Sequence, residues 1–86
     1  MQLRFTVLKD NQRGILELTD NEITLQVDRA FHIRTSYVER IEKTGELGLD
    51  RVGVKLDYFD LFGNKETLLF AMHESEFRSL KKTIGK

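Results

Sequence analysis

From its first residues to about position 72, this chain places apolar side chains at alternate positions, and only beyond that does the spacing become helical. A period of two belongs to strands with one buried face, so the chain is committed to a mainly antiparallel sheet before any other feature is weighed. "QLRFTVLK" (2–9) puts Leu3, Phe5 and Val7 on one side. Gly14 opens "GILELT", a strand over 13–19 with Leu16 and Leu18 inward, and "ITLQV" follows within 22–28 with Ile23, Leu25 and Val27 in phase. A two-residue turn at Asp20-Asn21 sets Leu18 opposite Ile23 and Leu16 opposite Leu25, which closes the hairpin on one apolar face.

"FHIRT" (31–35) reads as a short strand with Phe31 and Ile33 inward. The spacing of three between Val38 and Ile41 predicts a single turn leading into a strand over 39–44, and "ELGLDR" reads as a loop. Two more strands follow, at 51–60 with Val52, Val54, Leu56 and Tyr58 in phase, and at 66–72 with Leu68, Phe70 and Met72 in phase. "ESEFRSLKKTI" (74–84) changes period: Phe77, Leu80 and Ile84 form a narrow stripe, with Glu74 and Glu76 early, Lys81 and Lys82 late, and Gly85 as the stop. Such a helix lies against a protein and does not pass through its middle. At 86 residues there is room for one core, so seven short strands must curl into a sandwich or partly open barrel, with the helix covering one end.

The last hairpin carries the least regular stretch, "LDYFDLFGNKE" (56–66), which supplies apolar groups to both sides of one segment. A two-residue Gly63-Asn64 turn pairs Leu56 with Ala71 and puts Leu68 and Phe70 on the face of Asp57, burying an acid. A three-residue loop, Gly63 to Lys65, pairs Phe62 with Glu66 and Tyr58 with Phe70, and collects Val54, Leu56, Tyr58, Leu68, Phe70 and Met72 on the core face. The second register is the expectation. It leaves Phe59, Leu61 and Leu69 adjacent on the outward face with Phe62 at the tip, and three adjacent outward apolar groups form a candidate contact patch.

"GILELTDNEITL", "FHIRTSYVERIEKTG" and "ESEFRSLKKTI" together resemble the opening hairpin, the following turn and strand, and the closing helix of bacterial pleckstrin-homology-like and GRAM-type domains. The resemblance spans nearly the whole chain. It implies a mainly β, seven-stranded antiparallel barrel or sandwich capped by one C-terminal helix, a single domain over 1–86, and use as a docking module for lipids, peptides or proteins. Taxis adaptors also contain such domains, so the resemblance extends to a signalling adaptor. Members that bind phosphoinositides carry a basic cluster across the first two strands; here that region holds Lys9 and Arg13, with Asp10 between them and Glu17 following.

Charge and chemistry narrow the remaining choices. Fourteen basic residues balance fourteen acidic ones, which gives no long-range field to attract nucleic acid or an anionic membrane. With no cysteine there is no thiol chemistry and no Cys-ligated zinc, and a reducing, cytoplasmic setting is expected. His32 and His73 are isolated from other metal ligands, and Ser36, Ser75 and Ser79 sit in no nucleophile motif. No catalytic residue, metal or cofactor is expected. The expected function is non-enzymatic docking of a protein partner or of a second copy through Phe59, Leu61, Phe62 and Leu69. The alternative is an anionic-headgroup or lipid binder using a local basic patch of Lys9, Arg13, Arg29 and Arg34.

Overall fold

The computed structural model describes residues 2–86; the expected domain begins at Met1, which lies outside them. Seven strands form one antiparallel sheet: β1 (Leu3–Lys9), β2 (Gln12–Leu18), β3 (Glu22–Gln26), β4 (Ala30–Arg34), β5 (Val38–Gly48), β6 (Arg51–Phe59) and β7 (Lys65–His73), followed by helix α1 (Glu74–Ile84). Their order across the sheet is β4-β3-β2-β1-β7-β6-β5, so β4 and β5 are the two edges. The ladder runs through a single bridge at the centre, Leu8 opposite Ala71, which joins the β1–β4 half of the sheet to the β5–β7 half among the described residues.

The alternating apolar residues determine which side of this sheet is inside. Leu16, Leu18, Ile23, Leu25, Val52, Val54, Leu56, Leu68, Phe70 and Met72 all enter one buried cluster, with Leu3, Val27, Phe31, Tyr58 and Ile84 half-buried around it. A flat sheet cannot bring one face of all seven strands to a common centre, so this sheet curls round its core. Phe77 and Leu80 of α1 complete that core. The helix is held to the β5 side by Lys81 Nζ, which donates to the Ile41 carbonyl at 2.8 Å, and by Lys43 Nζ on Glu74 Oε2 at 3.0 Å. It ends as expected on Gly85, whose left-handed φ of 80° lets its N–H reach the Lys81 carbonyl at 2.9 Å.

The β2–β3 hairpin adopts the expected register, Leu18 opposite Ile23 and Leu16 opposite Leu25. Thr19 and Glu22 close the turn, main chain to main chain at 2.9 Å. Gly14 is needed at the other end of this hairpin, because a Cβ there would stand 2.6 Å from the Gln26 carbonyl.

Three expectations require correction. The spacing of Val38 and Ile41 marks no helical turn; the 3₁₀ turn occupies Thr35–Tyr37, and a bulge between Val38 and Arg40 inserts one residue so that both apolar side chains point inward. "ELGLDR" is mostly strand: β5 runs to Gly48 and turns through Leu49 and Asp50 alone, at φ of 53° and 61°. Neither register considered for the last hairpin occurs. Tyr58 lies opposite Glu66 and not Phe70, and Leu56 lies opposite Leu68, so the connection is a five-residue loop, Asp60 to Asn64. The shift is an even number of residues, so the core face is unchanged while every cross-strand neighbour is replaced.

Candidate docking site

The five-residue loop exists because Asp60 organises it. Asp60 Oδ1 accepts from the Phe62 N–H at 2.9 Å and the Asn64 N–H at 2.8 Å, and Oδ2 accepts from the Asn64 side-chain amide at 3.3 Å. Main-chain bonds add to this, Asp60 N–H to the Asn64 carbonyl and Gly63 N–H to the Asp60 carbonyl. The main-chain amide of Asn64 foremost, then that of Phe62, the Asn64 side-chain amide and the Gly63 amide, hold the Asp60 carboxyl below its ordinary range, against an opposing desolvation second in size only to the Asn64 amide. Gly63 turns the chain at φ 83°, a left-handed conformation that a residue with Cβ would adopt only under strain. The product of this bonding is a defined loop that holds Leu61 81% and Phe62 89% exposed.

Phe59, Leu61 and Phe62 border a cleft of about 440 Å³ that is lined also by Phe31, His32, Ile33 and Arg34 of β4, by Tyr37 of the 3₁₀ turn and by two acids, Glu22 and Asp60. Tyr58 also lines it, and burial pushes the Tyr58 hydroxyl above its ordinary pKa, with Glu66 and Asp60 adding to the effect and Arg29 opposing it. The cleft therefore joins two segments far apart in sequence, 31–37 and 58–62, across the gap between the sheet's two ends. Tyr37, exposed beside it, was not singled out from the sequence; its signal is only that it falls out of phase with Val38.

Leu69 belongs elsewhere, which corrects the expected patch. It faces Lys55, whereas Phe59 faces Lys65. Between those two rows lies a polar one, Arg40–Asp57–Thr67, in which Asp57 is 4% exposed and accepts from Thr67 Oγ1 at 2.7 Å. An acid is thus buried on the outer face after all, with a hydroxyl partner. Leu69 instead shares a groove with Leu47 and Leu49 near the β5–β6 turn, and those two leucines, read as loop in the sequence, are also exposed.

The four basic residues of the alternative site are dispersed. Lys9 and Arg29 border a depression of about 720 Å³ at the mouth of the curled sheet, together with Asp10, Asp28, Asp60 and Glu66. Lys9 Nζ is 3.7 Å from Asp10, and the Arg29 guanidinium sits 4.9 Å over the Phe31 ring. Arg13 lies in a different groove beside Arg51 and His73, and Arg34 on the edge strand. Of the histidines, His32 Nδ1 is 3.0 Å from Glu22 Oε1 and His73 precedes α1 without a side-chain cap. Among the described residues no three His, Cys, Asp or Glu side chains cluster as a metal ion requires, and no helix is long and apolar enough to cross a membrane.

The chain matches no protein-family model, and no curated protein matches it significantly. Among solved structures it resembles the C-terminal domain of an unknown protein from Leishmania infantum, with a TM-score of 0.64 over 100% of this chain and 83% of that one. At 12% identity the likeness is one of fold alone.

Proposed function

We propose that this chain is a non-enzymatic docking module, of the pleckstrin-homology-like kind its sequence resembles, which binds a protein segment in the cytoplasm through the cleft between β4 and the β6–β7 loop. The observation that carries this reading is the Asp60 loop. A flexible loop with two exposed apolar side chains would be unremarkable, since most protein surface is apolar anyway. Here one carboxylate and several main-chain bonds fix the loop so that Leu61 and Phe62 stand out from it, and the ordering needed for an apolar contact is already in place before a partner arrives. Aromatic side chains are also the usual anchors of a protein contact, and Phe31, Tyr37, Phe59 and Phe62 all line this cleft. The anionic-headgroup alternative finds less support, because the cations it needs are separated and four acids border the mouth beside Lys9 and Arg29.

The test compares the parent with Phe62→Lys and Asp60→Ala, each immobilised and exposed to proteins of the cell the chain comes from, with solution mass measured over a range of concentrations. Species held by the parent and lost with both variants, or a dimer lost with both, support the reading. Identical retention by all three, with a monomer throughout, would sink it.

A further inference from the structure

We propose that the partner binds as an added β-strand on the open edge of β4, and that it is an extended segment alternating apolar and acidic residues. This rests on the docking reading above and specifies its geometry and chemistry. β4 is the end of the sheet, paired only with β3 among the described residues. The phase of its free hydrogen-bonding groups follows from one bond. The Thr35 N–H donates to the Asn21 carbonyl at 2.9 Å, and these two continue the register in which Ile23 faces Ile33 and Leu25 faces Phe31. In an antiparallel ladder bonded and non-bonded pairs alternate, so Phe31, Ile33 and Thr35 direct their main-chain groups to β3. His32 and Arg34 direct theirs away, into the cleft side of the edge. That edge is a template for a further strand, and strand addition to such edges is a recurrent mode of peptide recognition.

The other edge of the sheet is guarded by comparison. β5 carries Glu39, Arg40, Glu42, Lys43 and Glu46, is interrupted by three register shifts, and has the Ile41 carbonyl taken by Lys81. All three devices discourage pairing. β4 has no bulge and only His32 and Arg34 as charged or titratable residues.

Side-chain phase then defines the occupant. A strand laid along β4 would turn alternate residues to the side of Phe31 and Ile33, where Tyr37, Phe59 and Phe62 border the cleft, and these would be apolar. The intervening residues would stand beside His32 and Arg34. His32 Nδ1 is already taken by Glu22 Oε1 at 3.0 Å, whereas Arg34, opposite Glu22 in the register, forms no ion pair among the described residues, so an acid beside Arg34 gains a partner. The same row argues against a second copy as the occupant, since antiparallel β4–β4 pairing would set Arg34 and His32 against their own counterparts.

The probe is acetyl-Glu-Val-Glu-Phe-Glu-Val-Glu-amide, beside its counterpart with Lys for every Glu, titrated into the full chain with amide exchange followed by NMR. The acidic peptide is expected to bind about fivefold more tightly than the basic one, from attraction replaced by repulsion at the one cross-strand position beside Arg34. It should slow exchange at His32 and Arg34 by about tenfold or more, while Phe31 and Ile33, already bonded to β3, change little. His32→Pro removes an N–H that β3 does not use, so the fold should tolerate it and the peptide should not bind. Arg34→Glu, which changes no main-chain group, should reverse the preference between the peptides. Binding lost with Phe62→Lys but accompanied by no protection of His32 and Arg34 would overturn strand addition and leave cleft docking standing. Failure of both peptides to bind also overturns strand addition, while the retention experiment above judges docking separately.

Discussion

The β2–β3 and β6–β7 hairpins carry the same kind of apolar alternation, yet one follows its sequence to the residue and the other does not. In β2–β3 the strands end at a polar pair with nothing apolar in the turn, and the shortest loop consistent with one buried face is the one adopted. In β6–β7 apolar residues continue through the turn, so alternation alone permits several even-numbered registers, each with the same core face. Asp60 decides among them. Its bonds to Phe62 and Asn64 stabilise a five-residue loop, which sets Phe59 against Lys65 and releases Leu61 and Phe62 from both strand and core. Alternation thus defines the face, and turn chemistry defines the neighbours.

The sharpest way to break this account is through the shared core face. Phe70→Ala should lose about 3–5 kcal/mol in urea unfolding, and Leu16→Ala about 2–5, because both empty buried sites whatever the register. A Phe70→Ala protein that unfolds at the parent's urea midpoint would mean that the face itself is misread.

The next test separates loop from register. Replacing residues 60–64 by Asn-Gly keeps Phe59 opposite Lys65 across a two-residue turn. Shortening the closed loop is favourable by a little under about 1 kcal/mol, so stability should hold or rise slightly. Retention of a partner should nonetheless be abolished. If the shortened chain still retains it, the loop is a connection and nothing more.

Smaller effects sharpen the contrast between the two exposed apolar groups. Phe62→Lys and Leu69→Lys should each change stability by no more than about 0.5 kcal/mol, as expected of exposed positions. Only Phe62→Lys should weaken docking, because Leu69 lies beyond the Arg40–Asp57–Thr67 row. Equal losses from both would restore the continuous patch that the sequence suggested.

The mildest perturbation is pH. The Asp60 carboxyl is depressed in the folded loop, so its contribution is present above the ordinary carboxylate pKa and is lost as pH falls through the depressed one. The amide resonances of Phe62 and Asn64 should therefore hold steady through the ordinary carboxylate range and move only at more acid pH. Movement in step with exposed model carboxylates would show that the loop does not depend on this anion.

The fold and the site were legible to different depths. Alternation and the late change of period define seven strands, their inward residues and the helix, because burial of one face acts on every strand locally. Where a bulge breaks the period, as between Val38 and Arg40, the same rule misleads, and the two inward residues imitate a helical turn. Phe59, Leu61 and Phe62 could be marked as surplus apolar residues from the sequence alone. Their partners could not. Tyr37, Phe31 and the free edge at His32 and Arg34 lie more than twenty residues earlier, and only the order and curl of the sheet bring β4 beside the β6–β7 loop. By itself, the sequence determined which side of each strand avoids water. The tertiary structure decided which strands adjoin and which edge stays open, since those depend on how seven faces close round one core and leave no trace in local periodicity.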